Sequence, residues 1–123
     1  MLGFNREING LKADTLSDLG RRVEIAYLLT GEEERFSKRL YKMIERIKNT
    51  PEKSLKRKKR KQYKNILPKL EEKLSKSESR LKKLYAARDL ALKNYKAQRE
   101  ILGLYDHTFI DSFIEKLKEA ENS

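Results

Sequence analysis

Eleven positions from Leu67 to Leu102 recur at strictly alternating spacings of three and four residues: Leu67, Leu70, Leu74, Ser77, Leu81, Leu84, Arg88, Ala91, Tyr95, Gln98 and Leu102, eight of them apolar. A strand returns to one face every second residue and a helix every 3.6, so this spacing selects a helix and gives it one continuous packing seam. The seam predicts a long heptad helix over residues 68–103, its straight part over about 69–102, with a coiled-coil-like face. At 1.5 Å per residue such a helix is roughly 50 Å long, more than a small domain can bury against loops. It must pack on another long helix of the same chain or on a second copy. Gly103 followed by Leu104 has the form of a left-handed C-cap that ends it.

The rest of the chain supplies candidates for the opposing helix. Leu16, Leu19, Val23 and Ala26 repeat at helical spacing after Thr15, and Phe36, Leu40, Met43, Ile44 and Ile47 do so after Thr30-Gly31. The pattern predicts a helical arm over 13–49. Gly31 is expected to break it, although a glycine inside a helix costs only about 1 kcal/mol relative to alanine and an unbroken arm stays open. Thr50-Pro51-Glu52 reads as cap, first helical residue and first-turn acid, which starts a basic helix or linker over 50–67 that Pro68 should end or kink. Phe109, Ile110, Phe113, Ile114 and Leu117 give a helical apolar face to a last segment over 106–120, seeded by Asp106 or Thr108.

Composition agrees with helices throughout. The 123 residues include 18 Leu and 8 Ile but one Val and four Thr, with few Gly and Pro to punctuate turns, which excludes a sandwich or barrel. The expected fold is all-α, in one domain over 1–123: a helical bundle or long antiparallel helical hairpin with short accessory helices. Hydrophobic residues are 37% and charged residues 40%, well above the roughly one quarter of ordinary domains, so a large dry core is excluded. No apolar run reaches signal-peptide or membrane-span length, so a cytoplasmic or nucleoid-associated protein that is not secreted is expected, without a membrane partner.

Thirty Lys and Arg stand against 19 Asp and Glu, a net charge of +11. Its distribution is uneven: residues 51–70 hold nine basic and one acidic side chain, and 104–123 hold two and five. The candidate site is Lys53, Lys56, Arg57, Lys58, Lys59, Arg60, Lys61, Tyr63 and Lys64, continued by Lys69, Lys73, Lys76, Arg80 and Lys83 one residue before successive seam positions. Cations in such a strip can neutralise backbone phosphates by displacing condensed counterions, which gives affinity without sequence information. The expected function is non-enzymatic nucleic-acid binding, to DNA or RNA and largely independent of sequence, by a homodimer. A protein–protein module, either a coiled-coil adaptor or an inhibitor of a nucleic-acid-processing enzyme, is the alternative.

Two features bear on these readings. With Leu67 at an a position, Lys73 and Arg80 take g and Glu71 and Glu78 take e, the arrangement that pairs charges across a parallel dimer. A helix-turn-helix over 15–30 and 32–49 would present Arg35, Lys38, Arg39, Lys42 and Arg46, but Glu32, Glu33 and Glu34 stand where a recognition helix meets phosphate. Chemistry-bearing motifs are missing. There is no cysteine, His107 is the single histidine, and no phosphate loop, nucleophile triad or paired-acid cleft is readable, so neither catalytic nor metal residues nor a cofactor are expected.

Overall fold

The computed structural model describes the backbone of residues 2–122 and the side chains of 15–119. The described residues form three α-helices, one short 3-10 turn and no strand: α1 spans Leu2–Asn49, the 3-10 turn Glu52–Ser54, α2 Arg57–Ile101 and α3 Thr108–Asn122. The fold is all-α, with α1 and α2 as its packed pair. The chain divides into two compact units: a terminal unit of residues 1–29 and 85–123, and a central unit of Thr30–Leu84.

In the central unit α1 and α2 run antiparallel, with Ser37 bonded to Ser77 and Glu33 to Arg80. Leu40, Ile44 and Leu70 form the buried cluster, and Phe36, Ile47, Leu67 and Leu74 close over it. In the terminal unit Val23 and Tyr27 of α1 are buried with Ile110 and Ile114 of α3, and Ala91, Leu92 and Tyr95 of α2 pack against them. All eleven seam positions are buried or half-buried, while Lys69, Glu71, Lys73, Ser75, Lys76 and Glu78 between them are exposed. The seam is therefore covered from within the chain. Glu71 and Arg80, the e and g positions of the heptad, pair with Lys48 and Glu33 of α1.

Gly31 does not break α1, which is continuous for 48 residues. A penalty of about 1 kcal/mol is smaller than what one buried leucine contributes, and apolar residues are buried on both sides of the glycine. Thr50-Pro51-Glu52 does not start a long helix either. Thr50 Oγ1 donates to the Arg46 carbonyl at 2.6 Å and closes the end of α1, while Pro51 precedes the 3-10 turn. No separate helix crosses over 51–66, because α2 begins at Arg57 and passes through Pro68. Pro68 lies on the exposed side of α2 while Leu67 and Leu70 on either side pack inward. The Lys64 carbonyl that loses its partner can thus be met by water, and the core packing offsets the cost.

Two caps match their sequence signals. Gly103 has φ +84°, the Leu104 amide donates to the Arg99 carbonyl at 2.8 Å and the Gly103 amide to Glu100 at 2.9 Å, a complete Schellman motif. Asp106 Oδ1 accepts from the Thr108 amide at 3.0 Å and from its hydroxyl at 2.6 Å, starting α3. These bonds hold the Asp106 carboxyl below its usual range.

Candidate nucleic-acid interface

The two units divide the charge unequally. The central unit carries twenty basic and eight acidic residues, a net +12, and the terminal unit ten and eleven, a net −1. Every residue of the candidate site lies in the central unit.

Lys53 sits in the 3-10 turn, Lys56 directly precedes α2, and Arg57, Lys58, Lys59, Arg60, Lys61 and Lys64 occupy its first two turns, all exposed. The first turn of α2 holds no acid. Cations there oppose the positive end of the helix dipole, an arrangement that costs stability and leaves a strongly anion-attracting end. Arg57, Arg60, Lys61 and Lys64 line one shallow recess with Glu52 as its only acid. Tyr63 is half-buried between Ile47, Leu55 and Leu67 at the turn, so its ring is held by packing.

Farther along, Lys69 lines a groove between the two helices with Gln62, Asn65 and Ile66 of α2 and with Met43, Arg46 and Ile47 of α1. Arg46 and Lys69 therefore stand across one groove. Helical spacing carries an exposed row along each helix: Arg35, Arg39, Lys42 and Arg46 follow one another at four, three and four residues, and Lys69, Lys73, Lys76, Arg80 and Lys83 at four, three, four and three. The α2 row flanks the packed face, whereas Leu40 and Ile44 are buried and Lys42, two residues from each, stands on the side of α1 turned away from α2. The rows meet at one groove only where Arg46 comes beside Lys69. On the other flank the order is the usual one: Glu34, Glu45, Glu71 and Glu78 alternate with Lys38, Lys48, Lys64 and Lys82, and Lys48 bridges to Glu71 at 3.5 Å.

Two of the α2 cations have acidic neighbours. Lys76 pairs with Glu72 at 3.2 Å with both side chains exposed, a contact that water screens. Arg80 is held more firmly, its Nε donating to Glu33 Oε1 at 2.9 Å. The same oxygen accepts from the fully buried Ser77 hydroxyl at 2.6 Å, and with that proton committed Ser37 donates to Ser77. The Ser77 hydrogen bond first, and then Arg80, keep the Glu33 carboxyl below the usual carboxylate range against the opposing effect of burial. Arg80 thus serves helix registration as well as surface charge.

The α1 row was not among the candidate residues. Its four-three-four spacing is present in the sequence, but only the fold brings Arg46 beside Lys69. The terminal unit holds no comparable feature. Arg88 keeps its seam position, its guanidinium 4.8 Å from the Tyr85 ring and 5.2 Å from Tyr27. His107 Nε2 meets Glu100 at 3.1 Å. Among the described residues there is no group of three or more side chains suited to a metal, and no helix long and apolar enough to cross a membrane. No known protein family matches the chain, and no curated protein or solved structure is similar to it.

Proposed function

We propose that this chain is a non-enzymatic nucleic-acid-binding protein that holds backbone phosphates through its central unit, largely irrespective of sequence. The observation that carries the reading is the net charge of +12 gathered in Thr30–Leu84, with Lys53, Lys56, Arg57, Lys58, Lys59, Arg60 and Lys61 exposed about the start of α2 and Arg46 and Lys69 across one groove beyond them. A surface evolved for stability alone places opposite charges across such a groove, as the other flank does. Cations that repel one another in the isolated protein are the expected arrangement where a polyanion supplies the missing charge. A cytoplasmic or nucleoid-associated location suits that role.

The test is charge reversal of Lys58, Lys59 and Arg60 to Glu, read by titration of labelled nucleic acid near physiological salt. Binding should be abolished with helix content by circular dichroism unchanged. Wild-type affinity in the triple variant would refute the assignment.

A protein partner is the second reading, supported by the exposure of Tyr105 (73%) just before α3 and of Phe109 (70%) in its first turn. Light scattering on the same samples distinguishes a homodimer from a monomer.

A further inference from the structure

Resting on the phosphate-binding reading, we propose that the groove between Arg46 and Lys69 takes one unpaired nucleotide of a single strand, its base on the apolar floor and its flanking phosphates on the cations of the two walls. The floor is Met43 and Ile47 of α1 with Ile66 and Leu70 of α2. Ile47 and Leu70 belong to the packed core, but Met43 and Ile66 remain 46% and 41% exposed in a unit of net charge +12. Apolar surface gathered in one groove gains by leaving water, and the flat face of a base is a partner that covers it. The groove measures about 530 Å³, within the range of sites for small molecules.

The rim holds the groups such a ligand needs. Arg46 on one wall and Lys69 on the other have no acidic partner among the described residues, and no acid lines the groove. A nucleotide within a strand carries a phosphate on either side of its sugar, so one cation per wall matches one phosphate per side. Gln62 and Asn65, three residues apart on α2, line the same groove, and neither amide is bonded to another described residue. An amide offers both donors and an acceptor, and an unpaired base exposes both kinds of group along the edge that a duplex would occupy. Any base can be met in this way, in keeping with a protein that reads no sequence. In a duplex those edges are paired and the faces stacked, so the groove would meet phosphates alone.

The probes are an oligothymidylate and an abasic strand of the same length, which has the same phosphates and no bases. Wild type and variants are titrated against both at about 0.1 M salt, circular dichroism confirming retained helix. Wild type should bind the base-bearing strand about tenfold tighter, the low end of what base stacking gives, because the floor is aliphatic. M43A/I66A should bring that strand to the abasic level and leave the abasic affinity unchanged, whereas R46Q/K69Q should weaken both by roughly 10–100-fold, the value for two phosphate contacts. Tyr41 is an exposed ring of the same unit, but it lies two residues from Met43 and so on another side of α1, and the advantage of the base-bearing strand should survive Y41A. Equal wild-type affinities for the two strands, an advantage that survives M43A/I66A or is lost in Y41A, or full affinity in R46Q/K69Q would overturn the groove assignment while leaving phosphate binding by the central unit in place. Wild type that binds neither strand in a salt-sensitive way would overturn both.

Discussion

Replacing Lys73 by Glu should stabilise the isolated protein while weakening its hold on nucleic acid. Lys73 is exposed and has Lys69 and Lys76 as neighbours four residues before and three residues after it on its own helix. A like-charge pair at such a spacing costs roughly 0.2–0.5 kcal/mol and an opposite-charge pair gains a similar amount, so the two pairs together change by about 1–2 kcal/mol. Screening over a Debye length of about 10 Å at 0.1 M salt leaves roughly 1 kcal/mol in total. Urea is the suitable denaturant because it adds no ions. With a slope of about 2 kcal/mol/M, the unfolding midpoint should rise by about 0.5 M at 0.1 M NaCl and return close to the wild-type value at 1 M, where the Debye length is about 3 Å. Duplex affinity should fall in the same variant. A lower midpoint at low salt, or a shift independent of salt, would refute the repulsion within the α2 row.

Further outcomes follow from the backbone and the buried polar cluster. Pro68→Ala restores an amide to the Lys64 carbonyl and should stabilise by about 1–3 kcal/mol, read in urea melts; a loss would contradict a continuous α2. Gly20→Ala places its methyl carbon 3.4 Å from the Tyr95 ring, an ordinary contact, so helix propensity should prevail with a gain of about 0.5–1 kcal/mol. Gly103→Ala should cost about 1–2 kcal/mol because φ +84° is strained for any side chain. Glu33→Gln should cost about 1–2 kcal/mol at pH 7. Because the folded carboxyl titrates below its unfolded value of about 4.3, its contribution is present above that pH and is lost as pH falls through the lowered value. The difference between wild type and variant should accordingly narrow below about pH 4 in urea melts, and a difference constant from pH 7 to pH 3 would contradict the bond.

Legibility in the sequence followed the range of the interactions concerned. All eleven heptad positions turned out inward, because helical period alone decides which residues share a face, while Leu92, which packs inward beside them, lay outside the seam. The Schellman turn at Gly103 and the Asp106 cap were legible for the same reason, being closed by bonds over a few residues. Breaks at Gly31 and Pro68 were misjudged because local propensity is worth about 1–3 kcal/mol and core packing around Leu40, Ile44 and Leu70 exceeds it. Ser77 is a polar position in the seam. Its function as the donor to Glu33 needed a residue 44 positions away in the chain. The α1 row was in plain sight as Arg35, Arg39, Lys42 and Arg46, but that Arg46 comes beside Lys69 depends on the antiparallel packing. The basic cluster after Pro51 was found by counting, since charge density is a property of composition.

The central claim is that the basic face of Thr30–Leu84 binds a nucleic-acid backbone. Its most direct test is the affinity of the intact chain for a short DNA duplex over about 0.05–0.3 M NaCl. Neutralising six phosphates predicts a slope of log K against log salt near −5, with binding still measurable at about 0.15 M. A slope shallower than about −2, or binding gone at 0.15 M, would mean that the face holds no phosphate backbone and would contradict the account.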